Sequence, residues 1–106
     1  MIYSDELLNY MHVYTLTRNQ RPDLLKRCQA SVLTQWPKEA YTTITCDDMY
    51  TMFAKRLECI SRNQYTTFVD DDDVVINNSI PICMDAIRQH SCGIVATNQI
   101  LCNYIS

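Results

Sequence analysis

Four consecutive aspartates, Asp70 to Asp73, follow directly on the run Thr66-Thr67-Phe68-Val69. Two like charges about 4 Å apart cost roughly 1 kcal/mol in water and several times more near a protein surface. A chain that sets four carboxylates side by side needs something to offset that repulsion. One solution is a divalent cation. A hard ion such as Mg²⁺ or Mn²⁺ accepts one or two carboxylates and keeps its other positions for water and phosphate oxygens. The other solution is plain solvation of a loop ahead of a helix, whose N-terminal end favours acids. In an extended segment alternate side chains share a face. That predicts Asp70 with Asp72 on one side and Asp71 with Asp73 on the other.

Two further polar segments have the same setting. Thr17 to Arg21 ("TRNQR") follows the β-branched and aromatic run His12–Thr17, and Asp47-Asp48 follow Tyr41–Cys46. Both runs have the composition of strands, as does Tyr65–Val69 ahead of the aspartates. Helical spacing of apolar residues fills the gaps between them. Leu25, Cys28 and Val32 predict a helix from Asp23 to about Gln35, opened by Pro22 and closed by Trp36-Pro37. Met49, Met52, Phe53, Leu57 and Ile60 share one face of a second helix, Met49 to Asn63. Ile80, Cys83, Met84 and Ile87 predict a third, with Ser79 as N-cap, Pro81 in the first turn and Gly93 as terminator. Residues 94–102 read as a last strand or hairpin piece.

Strand and helix therefore alternate. The fold class expected is α/β: a mostly parallel sheet with helices on both faces, a Rossmann-like nucleotide-binding half domain. Such sheets bind ligands beyond the carboxyl ends of their strands, which places all three polar loops on one rim. Gly93 is the only glycine. Asn, Asp and Pro must do most of the turning, and a glycine-rich phosphate loop is excluded.

Bulk properties narrow the class. The 106 residues suit a single domain, 47% hydrophobic and 20% charged, as in ordinary globular proteins. No apolar run approaches the ~20 residues that span a bilayer, and the acidic N-terminus lacks the pattern of a secretory signal. A cytoplasmic location is the expectation. The net charge of −3, with scattered basic residues, argues against nucleic acid as a partner. Six cysteines form no CxxC and no zinc-ligand spacing, so they read as reduced thiols, with Cys28, Cys59 and Cys83 on apolar helix faces. His12 opens a strand, His90 lies near a helix C-terminus, and Trp36 reads as a plug between helix and sheet, or else as an exposed platform for a sugar ring.

Three segments carry a resemblance. "VYTLTRNQRPDLLKRCQASVLTQ", "TITCDDM" and "TTFVDDDDVVINNSIPICMDAI" resemble, in order, three segments of the family 2 glycosyltransferases of GT-A architecture. These are the opening strand and loop, the second strand with its Asp pair, and the strand ending in an Asp-x-Asp motif. Together they cover nearly the whole chain as one domain, 1–106, matching the family's N-terminal nucleotide-sugar-binding half and truncated relative to the family. The resemblance implies transfer of a sugar from a nucleotide-diphosphate donor, a UDP-sugar by preference, to an unknown acceptor, with help from Mn²⁺ or Mg²⁺. Thr17, Arg18, Asn19 and Arg21 would flank the nucleotide, Asp47 or Asp48 would bind the base, and Asp70 would reach the ribose or the metal's water shell. The metal ligands would be Asp70, Asp72 and Asp73.

Departures from the pattern are equally specific. Gln20 is inserted into the first loop, and Met49-Tyr50 replace the small pair that often follows the second-strand acids. No residue matches the family's catalytic base. Two other readings therefore stand beside the transferase: a nucleotide-binding module that performs no transfer, and an acidic protein-interaction domain. Self-association is a further expectation, because a half-sheet leaves an edge strand to cover.

Overall fold

A computed structural model of the chain describes residues 11–62, 65–76 and 78–90. The central strand β1 (Met11–Thr17) leads into helix α1 (Pro22–Leu33), a short 3-10 turn (Lys38–Ala40), strand β2 (Tyr41–Thr45), helix α2 (Met49–Arg62), strand β3 (Tyr65–Phe68) and helix α3 (Ser79–His90). These elements match the sequence expectation to within two residues at each described end. The expected strand over 94–102 and Gly93 lie outside the described residues, as do the side chains of Ile87 and His90 on α3.

The three strands form a parallel sheet in the order β2-β1-β3. Val13 pairs with Tyr41 and Thr17 with Thr45 on one side of β1, while Met11 pairs with Tyr65 and Tyr14 with Phe68 on the other. A middle strand covered on both faces is buried almost throughout, and every residue of β1 except His12 is buried, Thr15 and Thr17 with their hydroxyls hydrogen-bonded. Met11 and Val13 pack with Val32, Trp36, Ala40, Ile80 and Met84, so α1 and α3 cover one face. Tyr14 and Leu16 pack with Cys46, Cys59, Met52 and Phe68, so α2 covers the other. Helices thus lie on both faces, as the alternation of elements implied.

Trp36 settles one alternative. Its ring is buried and its indole N–H donates to the Ala40 carbonyl at 3.0 Å, so it plugs the core and offers no sugar platform. His12, at the opposite end of β1 from Thr17, is hydrogen-bonded through Nε2 to Thr42 Oγ1 at 2.8 Å.

Two local readings need correction. Ser79 is the first residue of α3 and not its cap: its hydroxyl turns back to the Ile76 carbonyl, while Ile80 N–H is received by Gln35 Oε1 at 2.9 Å. The cap comes from Gln35, in the turn that follows α1. On α2, Met49, Phe53, Leu57 and Ile60 form an exposed stripe, and the helix rests on the sheet through Cys59 and the half-buried Met52. Cys59 follows Met52 by seven residues, two helical turns, so the two share a face about a quarter turn from the apolar stripe.

Candidate metal and phosphate site at the carboxyl edge of the sheet

Parallel strands deliver their loops to one edge, and backbone bonds continue the pairing past the strand ends. Cys46 N–H donates to the Thr17 carbonyl at 2.8 Å, and Val69 N–H donates to that of Tyr14 at 2.9 Å. The first loop and the aspartate run therefore leave adjacent strands side by side. Asp47 and Asp48 leave β2, on the far side of β1 from Asp70.

The aspartate run is a turn, closed by Asp73 N–H donating to the Asp70 carbonyl at 3.1 Å. This overturns the two-and-two arrangement expected of an extended segment. Ligand oxygens of Asp70, Asp72 and Asp73 all lie within 4.8 Å of one another, while Asp71 is drawn away. Asp71 Oδ2 accepts a hydrogen bond from the Thr17 hydroxyl at 2.7 Å.

Basic side chains approach the turn from two elements. Arg21 Nη2 meets Asp72 Oδ2 at 2.9 Å, and Arg56 Nη2 of α2 stands 3.7 Å from Asp70 Oδ1 with its guanidinium 5.3 Å from the centre of the Phe68 ring. These charges offset part of the carboxylate repulsion. Asp73 bears the remainder: burial, then the nearby Asp70, Asp72 and Asp71, pushes its carboxyl above the ordinary range. A cation would relieve that.

The first loop is shaped by an asparagine. Asn19 adopts φ 56°, a left-handed conformation that asparagine tolerates where this chain has no glycine, and its N–H donates to Thr17 Oγ1 at 2.9 Å. Thr17 thereby binds both its own loop and the aspartate turn. Arg18, Asn19 and Arg21 are exposed beside it. Asp48 has a structural task as well. Its Oδ1 accepts from Thr51 N–H at 2.7 Å, capping α2, and this bond, the Thr51 side chain and Arg18 hold its carboxyl below the ordinary range. Asp47 is exposed.

Beneath the turn lies a polar support that apolar periodicity passes over. Cys28 Sγ donates to the Asp70 carbonyl at 3.2 Å. Tyr41 OH donates to Thr15 Oγ1 at 2.8 Å, and Thr15 Oγ1 lies 3.6 Å from Cys28 Sγ. One direction of donation, Tyr41 to Thr15 to Cys28 to the Asp70 carbonyl, satisfies every member. Farther along, Ser31 Oγ of α1 accepts from Val75 N–H at 3.0 Å, and Gln35 Nε2, in the turn after α1, donates to the Ile76 carbonyl at 3.0 Å. Cys28, Ser31 and Gln35 follow one another at helical spacing, so one face of α1 and the turn after it hold the backbone at Asp70, Val75, Ile76 and Ile80. That spacing was readable in the sequence; its partners were not. Arg56 had no such signal.

The donor set suits a hard cation. Asp70, Asp72 and Asp73 offer only carboxylate oxygen, the chemistry of Mg²⁺ and Mn²⁺ and not of soft metals. No family model, no curated protein and no solved structure matches the chain.

Proposed function

We propose that this domain binds a nucleotide-diphosphate sugar, with a divalent cation held by Asp70, Asp72 and Asp73, and serves as the donor-binding half of a GT-A-type glycosyltransferase. The observation that carries the reading is the gathering of three carboxylates, with ligand oxygens within 4.8 Å, at the carboxyl edge of a parallel sheet. When bound there, the cation would neutralise charge on the departing diphosphate. Arg21 and Arg56 flank the carboxylates and have the fork geometry that suits phosphate oxygens. Thr17 and Asn19 hold the first loop beside them. Asp47, exposed at the end of β2, and Asp48, which keeps one oxygen for the α2 cap, are the groups proposed for the base.

A second reading, a nucleotide-binding module that performs no transfer, is favoured by the position of His12. Its imidazole, a natural proton acceptor, sits near the end of β1 opposite Thr17 and is bonded there to Thr42.

Calorimetry with UDP, GDP and their sugars, with and without Mn²⁺, on the native chain and Asp72→Ala tests the site. Binding heat that disappears on removal of either metal or carboxylate supports it. Equal heat in every condition rejects the metal role, and no heat at all rejects the nucleotide. Sugar release from a bound donor then separates transferase from module.

A further inference from the structure

Helix α2 carries a surface that neither the sheet nor the rim uses. Met49, Tyr50, Phe53, Leu57 and Ile60 are 52, 85, 63, 70 and 54% exposed, an apolar stripe along the side turned from the core. No charged residue belongs to it. Lys55 lies about 200° round the helix from Phe53 and is bound to Glu58 at 3.0 Å, while Arg56 is turned to Asp70 and Phe68. Charge-poor patches rich in Tyr, Phe and Met are the composition of interface centres.

We infer that this stripe is a homodimer interface, in which α2 packs antiparallel against α2 of a second copy about a two-fold axis that crosses the stripe midway between Phe53 and Leu57. In an isologous contact residue i meets j and j meets i. With the axis there, Phe53 of each copy faces Leu57 of the other, and Tyr50 faces Ile60, so the stripe is complementary to itself. The charged ends agree. Asp47 and Asp48 at the start of one helix come beside the other helix's last turn, which carries Arg62, and the two helix dipoles oppose. The area agrees too. Five side chains at these exposures present on the order of 600 Å² per copy, about 1,200 Å² for the pair, which reaches the range of specific interfaces. The occupant is thus a second copy of this chain, bound through a helix face and not through the sheet edge that the sequence had suggested.

Sedimentation of the chain at concentrations up to those used for NMR tests this, together with Phe53→Lys and Leu57→Glu. Both positions are exposed in the single chain, so circular dichroism should stay native. The native chain is expected to be dimeric, and each variant alone should associate at least about tenfold more weakly. Mixing the two variants should restore a dimer, because Lys at 53 of one copy then faces Glu at 57 of the other while the second Phe53–Leu57 contact stays intact. A monomeric native chain would mean that something else covers the stripe. A dimer indifferent to Phe53→Lys, or variants that fail to combine, would equally overturn the inference.

Discussion

The hydroxyl of Thr17 lies 2.7 Å from Asp71 Oδ2, joining the last residue of the central strand to the second residue of the acidic turn. That bond separates Asp71 from the other three aspartates. Three carboxylates are left to converge, and the fourth becomes a tether.

Thr17→Val keeps the shape of this buried side chain and removes its hydroxyl. Asp71 then loses a donor to a charged group, and Asn19 N–H loses its acceptor. Hydrogen bonds to charged groups contribute about 1.5–3 kcal/mol, and the stability loss should fall in that range. Urea denaturation measures it, and Thr17→Ser should recover most of it. A loss well under half a kilocalorie in Thr17→Val would show that the tether carries no weight.

Cys28 offers no ligand of its own, yet its thiol donates to the backbone carbonyl of the expected ligand Asp70 from below. Cys28→Ala should weaken Mn²⁺ binding by roughly three- to tenfold, and Cys28→Ser should restore it, since a hydroxyl can make the same donation. Titration followed by manganese electron spin resonance reads this directly. A purely packing role would leave the alanine and serine variants equally impaired or equally sound.

Stability should decline toward alkaline pH. Burial pushes the thiols of Cys28, Cys46, Cys59 and Cys83, and the Tyr41 hydroxyl, above their ordinary ranges. The unfolded chain releases these protons first as pH rises. Their contribution is therefore fully present below the ordinary thiol range and is lost as pH climbs through the folded values. Urea midpoints taken from neutral to strongly alkaline pH should fall monotonically across that window. The same burial predicts slow alkylation of Cys28, Cys46 and Cys59 in the native state and rapid alkylation in urea, read by mass spectrometry.

Strands announced themselves through β-branched and aromatic runs, and helices α1 and α3 through apolar residues at helical spacing, because one-dimensional periodicity reflects which side of an element meets a core. The same rule misled at α2. Its strongest apolar stripe faces outward, and the sheet contact runs through Cys59 and Met52 instead. Periodicity reports that a face avoids water and is silent about what covers it. The rim was legible for a similar reason: in a parallel sheet the strand order along the chain already sends Thr17–Arg21, Asp47-Asp48 and Asp70–Asp73 to one edge.

By itself, then, the sequence determined the alternation of elements, the parallel sheet and the edge that collects the acidic loops, since these follow from local composition and chain direction. Only the tertiary structure decided which aspartates converge. That depended on Thr17, Arg21, Arg56 and Cys28, all distant in the chain from the turn they hold. Hydrogen bonds and ion pairs act over a few ångströms in space, and a turn's side chains point where such partners stand.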